Sequence, residues 1–226
     1  MSILLIPWAA LLFGGFLFGK PDTYRRMPVW TRMASSAVLV VAGWGFALQQ
    51  PTPYTLLIAL GMSLGLLGDL YMAELIPWPR PHVLGGMGSF GLGHVAYIAA
   101  CLWFGRAHAL SQPQMQWGSW VGWLVVAAVI WYFLIYRGTT SRSVLVYAAL
   151  PYALLLASTV GVGMGLAWGF GDGRFLPFTI GAALFLFSDL LIAVDLFTHR
   201  RFPLMGDLIW LTYGPAQMLI VYNLNL

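Results

Sequence analysis

The chain has 226 residues, of which 60% are hydrophobic and only 8% are charged. Soluble domains carry roughly 25% charged residues, so this composition excludes a soluble globular protein and indicates an integral membrane protein. The formal net charge of +4 is what an uneven distribution of basic residues across a membrane leaves, and it requires no nucleic-acid partner.

Apolar stretches separated by short polar segments predict eight transmembrane helices. They cover residues 3–18, 31–48, 53–72, 85–104, 118–136, 144–168, 175–197 and 205–224. No linker, low-complexity segment or soluble domain lies between them. We therefore predict an all-α polytopic membrane protein, an eight-helix bundle in which residues 1–226 form a single integral membrane domain.

Basic residues are distributed unevenly over the ends of these helices. Nine of the 11 fall on one side of the predicted membrane: Lys20, Arg25, Arg26, Arg32, Arg80, Arg137, Arg142, Arg200 and Arg201. The other side receives only Arg106 and Arg174. The positive-inside rule then predicts that both termini face away from the cytoplasm. In a bacterium the location would be the inner, cytoplasmic membrane.

Two acidic residues, Asp69 and Asp189, lie inside the third and seventh predicted spans. An ionisable group at that depth is costly, and by default it indicates a functional site. The structural alternative is a buried hydrogen-bonded clamp between helices. Each acid follows a small residue and precedes a leucine. One interpretation of this sequence similarity is a parallel repeat of four helices plus four, with both acids at equivalent depths.

The span after each aspartate carries a polar pair. Its members are His94 with Tyr97, and Tyr213 with Gln217. Their helical spacing places each pair on one face, and a rise of ~1.5 Å per residue places them in the same half of the membrane as the acids. We expect these groups to surround a cavity open to the cytoplasmic leaflet. For each of them ordinary interhelical hydrogen bonding is the alternative.

The other acidic residues are expected at solvated helix ends or in loops; they are Asp22, Glu74, Asp172, Asp195 and Asp207. Metal chemistry is not predicted, because Cys101 is the single cysteine and His94 is the single histidine deep in a span. No serine-hydrolase motif or phosphate-binding glycine loop is present.

Two carboxylates beside one apolar pocket favour acid–base chemistry. One acid can deliver a proton while the other carboxylate stabilises positive charge or activates water. This division of roles suits a reaction that passes through an oxocarbenium-like cation. The residues alone do not assign one role to Asp69 and the other to Asp189.

Four stretches of the chain resemble a known family. They are residues 68–70, 87–97, 187–190 and 212–217, with the sequences GDL, MGSFGLGHVAY, FSDL and TYGPAQ. In this order and in an eight-span setting they resemble the YhhN family of integral membrane proteins, whose animal members are lysoplasmalogenases. The resemblance extends from about residue 53 to the C-terminus.

This resemblance implies hydrolysis of the vinyl-ether bond of lysoplasmalogens. The substrate would be a lysophospholipid in the membrane, and the products a fatty aldehyde and glycerophospho-ethanolamine or -choline, with no metal and no organic cofactor. Catalysis would involve Asp69, Asp189, His94 and Tyr213, with Gln217 and Tyr97 completing the substrate-binding pocket.

Two other functions fit the same residues. Paired intramembrane acids with a histidine also describe a proton-coupled transporter. A polar cavity in only one half of the membrane favours a one-sided enzyme over such a carrier. A lipid-binding protein that leaves its ligand unchanged is the third interpretation.

Overall fold

The computed structural model describes residues 2–20, 22–110, 113–139 and 143–225. Every regular element in these ranges is helical. The α-helices are α1 (Leu5–Leu17), α2 (Val29–Gln49), α3 (Pro53–Met72), α4 (His82–Ala107), α5 (Pro113–Ile130), α6 (Val144–Phe170), α7 (Leu176–Thr198) and α8 (Met205–Tyr222). A π-helical turn (Trp131–Tyr136) continues α5. Arg142, one of the nine basic residues predicted to face the cytoplasm, lies outside the described residues.

Within the described part of the chain, six helices are long and apolar enough to cross a membrane, which confirms a polytopic membrane protein. These six are α2 to α7, with α5 counted together with its π-helical turn. The N-terminal apolar helix is shorter (Ser2–Leu17). The last helix, α8, carries Asp207, Tyr213 and Gln217, which make it less apolar although all three are buried. The count of eight spans stays a prediction.

The outer surface of α5 is apolar, as a lipid-facing surface requires. Val121, Val125, Val129 and Phe133 recur every four residues, and each is about half exposed or more. This spacing places them along one helical face. Because no polar residue interrupts that stripe, the surface matches the hydrocarbon of a bilayer and would be poorly solvated by water.

The helices pack in corresponding pairs in the two halves of the chain. Helix α1 packs on α2, α2 on α3 and α3 on α4, and α5 to α8 repeat this series. The halves meet where α2 packs on α8 and α6 packs on α4. A parallel repeat of four plus four helices requires such a correspondence, although the repeat itself stays a prediction. The packing brings α2, α3 and α8 around Asp69, and α6 beside Asp189 on α7.

Asp207 attaches the loop between α1 and α2 to the start of α8. Its carboxylate is fully buried and accepts hydrogen bonds from the backbone N–H groups of Arg26 (2.7 Å) and Met27 (3.0 Å). The sequence-based expectation of a solvated Asp207 is therefore wrong. The physical reason is that the loop folds over α8 and leaves two backbone donors that need an acceptor.

Candidate active site

Asp69 and Asp189 come from different helices and line the same cavity, whose volume is about 320 Å³. Asp69 lies in the last turn of α3, and Asp189 lies in the second half of α7. Tyr213 of α8 also lines this cavity, which we call the polar chamber. A water molecule occupies about 30 Å³ in the liquid, so the chamber has room for several waters or for a small polar group.

The polar chamber reaches the loops at one end of the bundle. Its lining includes Tyr24 and Arg25 from the α1–α2 loop, and His199 and Arg201 from the α7–α8 loop. Asp195 holds these two loops together. It accepts hydrogen bonds from the hydroxyl of Tyr24 (2.9 Å) and from Nε of Arg201 (2.6 Å). The expectation that Asp195 is a simply solvated helix end is therefore wrong.

Tyr24 keeps its proton in this position. Burial of the phenol, together with its hydrogen bond to the Asp195 carboxylate, raises the pKa of Tyr24 above its ordinary value. The hydroxyl is consequently a hydrogen-bond donor at neutral pH, and it stabilises the wall of the polar chamber.

A second cavity, of about 100 Å³, adjoins the polar chamber. We call it the apolar groove, because nearly all of its lining comes from aliphatic and aromatic side chains of α4 to α7. Among the described residues that line it, Asp189 is the one acidic residue. Six residues line both cavities: Asp189 and the apolar residues Met72, Val83, Phe90, Ile192 and Leu196. Asp189 therefore stands where a polar space meets an apolar one.

Asp69 is held by a network of buried hydrogen bonds. Its Oδ2 atom accepts from the hydroxyls of Ser36 on α2 (2.5 Å) and Tyr213 on α8 (3.0 Å). The Tyr213 hydroxyl in turn accepts from the amide of Gln217 (3.3 Å), and the Gln217 oxygen accepts from Tyr97 (2.8 Å). Three helices besides α3 thus fix the orientation of one carboxylate.

Glycine at position 65 makes this network possible. A Cβ atom built on Gly65 would lie 2.6 Å from Nε2 of Gln217. Any larger residue on this face of α3 would push the amide away from the Tyr213 hydroxyl.

Asp189 has a simpler environment. Its Oδ2 atom accepts a short hydrogen bond from the hydroxyl of Tyr152 on α6. The neighbouring side chain, Ser188, donates to the backbone oxygen of Phe185 (2.8 Å). Asp189 is thus oriented mainly by one phenol from another helix and borders both the apolar groove and the polar chamber.

His94 lies outside both cavities. Its Nδ1 atom is hydrogen-bonded to the Thr159 hydroxyl (2.8 Å), and its ring contacts Phe185 with centroids 4.4 Å apart. Phe185, Phe90 and Tyr213 form a cluster of edge-to-face rings. This cluster lies between His94 and the polar chamber. The sequence predicts that His94 lies beside the aspartates, and the structure does not place it there.

Gln217 and Tyr97 are also absent from the described lining of the two cavities. Each is 1% exposed, and their contacts run to Tyr213 rather than to open space. The expectation that they contact substrate stays a prediction. They lie deeper along α4 and α8 than the aspartates, behind Tyr213, and they support it.

The structure adds three residues that the sequence analysis did not select. Ser36 and Arg32 come from α2, and Tyr152 comes from α6. Tyr152 could have been selected from the sequence, since a phenol in the middle of a span needs a partner for its hydroxyl. The sequence gives no indication of a role for Ser36, because a serine hydroxyl can donate to a backbone oxygen of its own helix.

Among the residues that the structure describes, no group of three or more His, Cys, Asp or Glu side chains is placed to hold a metal ion. The chemical groups assembled at the two cavities are carboxylates, phenols, guanidinium groups, the Ser188 hydroxyl and the His199 imidazole. Such a set can donate and accept protons, stabilise a cation and bind an anion.

No curated protein and no solved structure gives a significant match to this chain. The model of the YhhN family matches residues 28–224, which is nearly the whole chain. The match includes α2 and therefore extends the resemblance of the four sequence stretches toward the N-terminus. On this evidence the protein belongs to the YhhN family.

Proposed function

We propose that this protein is a lysoplasmalogenase-like hydrolase that cleaves the vinyl-ether bond of a lysophospholipid. The observation that carries the proposal is the shared cavity: Asp69 and Asp189 line one polar chamber, and Asp189 also lines the adjoining apolar groove. Membership of the YhhN family supports the same class of reaction.

The two cavities match the two ends of such a substrate. A lysoplasmalogen has an alkenyl chain on one side of its ether oxygen and a glycerophospho-base on the other. The apolar groove suits the beginning of the chain, and the polar chamber suits the glycerol. The vinyl-ether group then lies at the junction, which is where Asp189 stands.

This placement assigns the first proton to Asp189. Its carboxylic acid transfers a proton to the β-carbon of the vinyl ether, which lies on the chain side of the double bond. The π electrons form the new C–H bond, and an oxocarbenium ion remains between the α-carbon and the ether oxygen. Proton transfer by a positioned acid is typically worth 10²–10⁴-fold in rate.

Asp69 completes the reaction from the polar side. Its carboxylate stabilises the cation and accepts a proton from water as the water oxygen bonds to the α-carbon, giving a hemiacetal. Asp189 then takes the hemiacetal hydroxyl proton while Asp69 returns its proton to the departing glycerol oxygen. The C–O bond breaks, a fatty aldehyde leaves, and both carboxyl groups regain their starting states.

The remaining site residues position these two acids. Tyr152 orients Asp189, whereas Ser36 and Tyr213 orient Asp69. Gln217 and Tyr97 in turn orient Tyr213. Tyr152, Ser36 and Tyr213 each donate to the Oδ2 atom of their aspartate. The Oδ1 atom of each aspartate therefore stays available for proton transfer.

The proposal is tested by incubating purified protein in detergent with lysoplasmalogen and, separately, with the saturated ether lysolipid. Mass spectrometry is expected to detect aldehyde from the first lipid alone. Asp69→Asn and Asp189→Asn should each lower aldehyde release by at least about 10²-fold. Asp172→Asn, which changes an exposed loop carboxylate, is the matched control and should keep full activity.

The proton-coupled transporter is the competing function. In proteoliposomes a transporter would exchange substrate across the membrane without releasing aldehyde. Counter-flow in the absence of aldehyde, abolished by Asp69→Asn or Asp189→Asn, would replace the hydrolase proposal with the transporter.

A further inference from the structure

Arg32 is buried in the wall of the polar chamber and forms no ion pair with a described residue. Its side chain is 4% exposed, and it lines the chamber together with Asp69. Among the described residues the guanidinium group forms no ion pair, and its Nε atom is buried without a hydrogen-bond partner. A buried guanidinium donor without an acceptor is costly, which favours a ligand with an anionic acceptor.

Two carboxylates, Asp69 and Asp207, attract the Arg32 charge, but their oxygens accept hydrogen bonds from other groups and not from its guanidinium. Asp69 accepts from Ser36 and Tyr213, and Asp207 uses both of its oxygens for the backbone of the α1–α2 loop. The ring of Trp210 lies beside the Arg32 guanidinium, with its centroid 5.1 Å from Cζ. This contact holds the plane of the guanidinium and leaves its donors for a bound anion.

Arg25 brings a second unpaired guanidinium to the same chamber. Its Nε atom is buried and has no hydrogen-bond partner in the described part of the chain. Gly206 provides the space, because a Cβ atom there would lie 2.8 Å from that Nε. Arg201, which also lines the chamber, differs because it is paired with Asp195 at 2.6 Å. Asp189, on the opposite wall, is engaged by Tyr152.

We infer that Arg25 and Arg32 form a subsite for the phosphate of a lysolipid headgroup. Two guanidinium groups present planar pairs of donors, which is the geometry that binds phosphate oxygens. The identity of the lipid rests on the proposed function; the preference for phosphate does not. Phosphate bound here sets the position of the glycerol and, through it, of the ether bond relative to Asp69 and Asp189.

The inference is tested by equilibrium binding of two saturated lipids that cannot be hydrolysed. One is a 1-alkyl-glycerophosphoethanolamine and the other is the 1-alkylglycerol with the same chain, both measured in neutral detergent. The wild-type protein is expected to bind the phosphorylated lipid at least tenfold more tightly. Arg32→Gln and Arg25→Gln should each reduce this ratio at least fivefold while binding of the alkylglycerol is unchanged. Arg32→Lys should restore part of the ratio.

Arg26→Gln is the matched control. The Nε atom of Arg26 is also buried without a partner, but Arg26 is not among the described residues that line the chamber, and its Nη2 donates to the backbone oxygen of Leu17 (3.4 Å). It should keep the wild-type ratio. Should Arg32→Gln fail to bind even the alkylglycerol, Arg25→Gln decides the question. An unchanged ratio in Arg25→Gln, or equal binding of the two lipids by the wild type, overturns the inference.

Inorganic phosphate distinguishes a lipid headgroup from free phosphate. We expect it to displace the lysolipid only weakly, because it lacks the chain that occupies the apolar groove. Displacement at micromolar concentrations would assign the subsite to free phosphate and overturn the lipid assignment. None of these measurements requires turnover, so failure of aldehyde release and failure of phosphate binding remain separate results.

Discussion

Asp69 and Asp189 stand at equivalent positions in sequence motifs but in different surroundings. Asp69 is 2% exposed and is held by Ser36 and Tyr213, with a chain of two further buried residues behind Tyr213. Asp189 is partly exposed, lines two cavities and accepts from Tyr152, with the neighbouring Ser188 hydroxyl as a further donor. Similar motifs have therefore produced one rigidly held acid and one that borders an apolar space.

This difference shows how one pair of acids can perform two tasks. A carboxylate fixed by several donors is suited to stabilising a cation, since its position does not change when charge develops. A carboxyl group at the edge of an apolar groove is suited to protonating a carbon atom of an alkenyl chain. Variants of the partner residues test this division.

The largest effect among the partner residues is expected for Tyr152→Phe. Asp189 loses the phenol that donates to its Oδ2 atom from another helix, so its carboxyl group is free to rotate away from the junction of the two cavities. We expect kcat for aldehyde release to fall about 10- to 100-fold, with little change in KM. A rise in KM at constant kcat would contradict a role in orienting the proton donor.

Ser36→Ala and Tyr213→Phe should each have a smaller effect, because either variant leaves Asp69 with the other donor. We expect kcat to fall about three- to tenfold for each single variant. The double variant should lose more than the product of the two single losses, because it leaves Asp69 with neither donor, and steady-state kinetics of all four proteins gives the comparison. Purely additive single and double effects would argue against shared support of one carboxylate.

Gln217→Leu should act on stability more than on activity. The change leaves the buried hydroxyl of Tyr97 without its acceptor, which costs roughly 1–3 kcal/mol. We expect a lower midpoint of thermal unfolding in detergent and a kcat within about threefold of the wild type. Loss of activity in a Gln217→Leu protein that keeps its thermal midpoint would indicate that Gln217 contacts the substrate.

The smallest effect on activity is expected for His94→Gln, which retains a polar group opposite Thr159. The ring cluster of Phe90, Phe185 and Tyr213 separates this position from the polar chamber. Aldehyde release should stay within about threefold of the wild type, measured at several pH values. A loss of 10²-fold or a changed pH profile would place His94 in the proton-transfer steps.

Hydrophobic patterning predicted the helices well, because the length of an apolar stretch is set by the membrane itself. The third span, for example, has the predicted bounds, residues 53–72. The shared location of Asp69, Asp189 and Tyr213 was predicted from depth alone. Depth along a helix follows directly from residue number, whereas the direction in which a side chain points depends on helix rotation and on neighbouring helices.

Rotation and packing explain what sequence could not provide. His94 has suitable chemistry and depth, but the aromatic cluster fills the space between it and the acids. Asp207 lies in the first turn of α8, which predicts a solvated helix end, but its carboxylate accepts from backbone donors of a loop about 180 residues away in sequence. Ser36 and Arg32 gained their roles from contacts between α2 and the α3–α8 region, and those contacts leave no local pattern.

The most direct test of the central claim is hydrolysis of lysoplasmalogen in D₂O, followed by mass spectrometry of aldehyde and recovered substrate. If Asp189 protonates the β-carbon, the wild-type aldehyde carries one deuterium on the carbon next to the carbonyl. Asp69→Asn then returns substrate labelled at the same carbon, and Asp189→Asn returns it unlabelled. Aldehyde without deuterium from the wild type, or labelled aldehyde from Asp189→Asn at the wild-type rate, would contradict the claim.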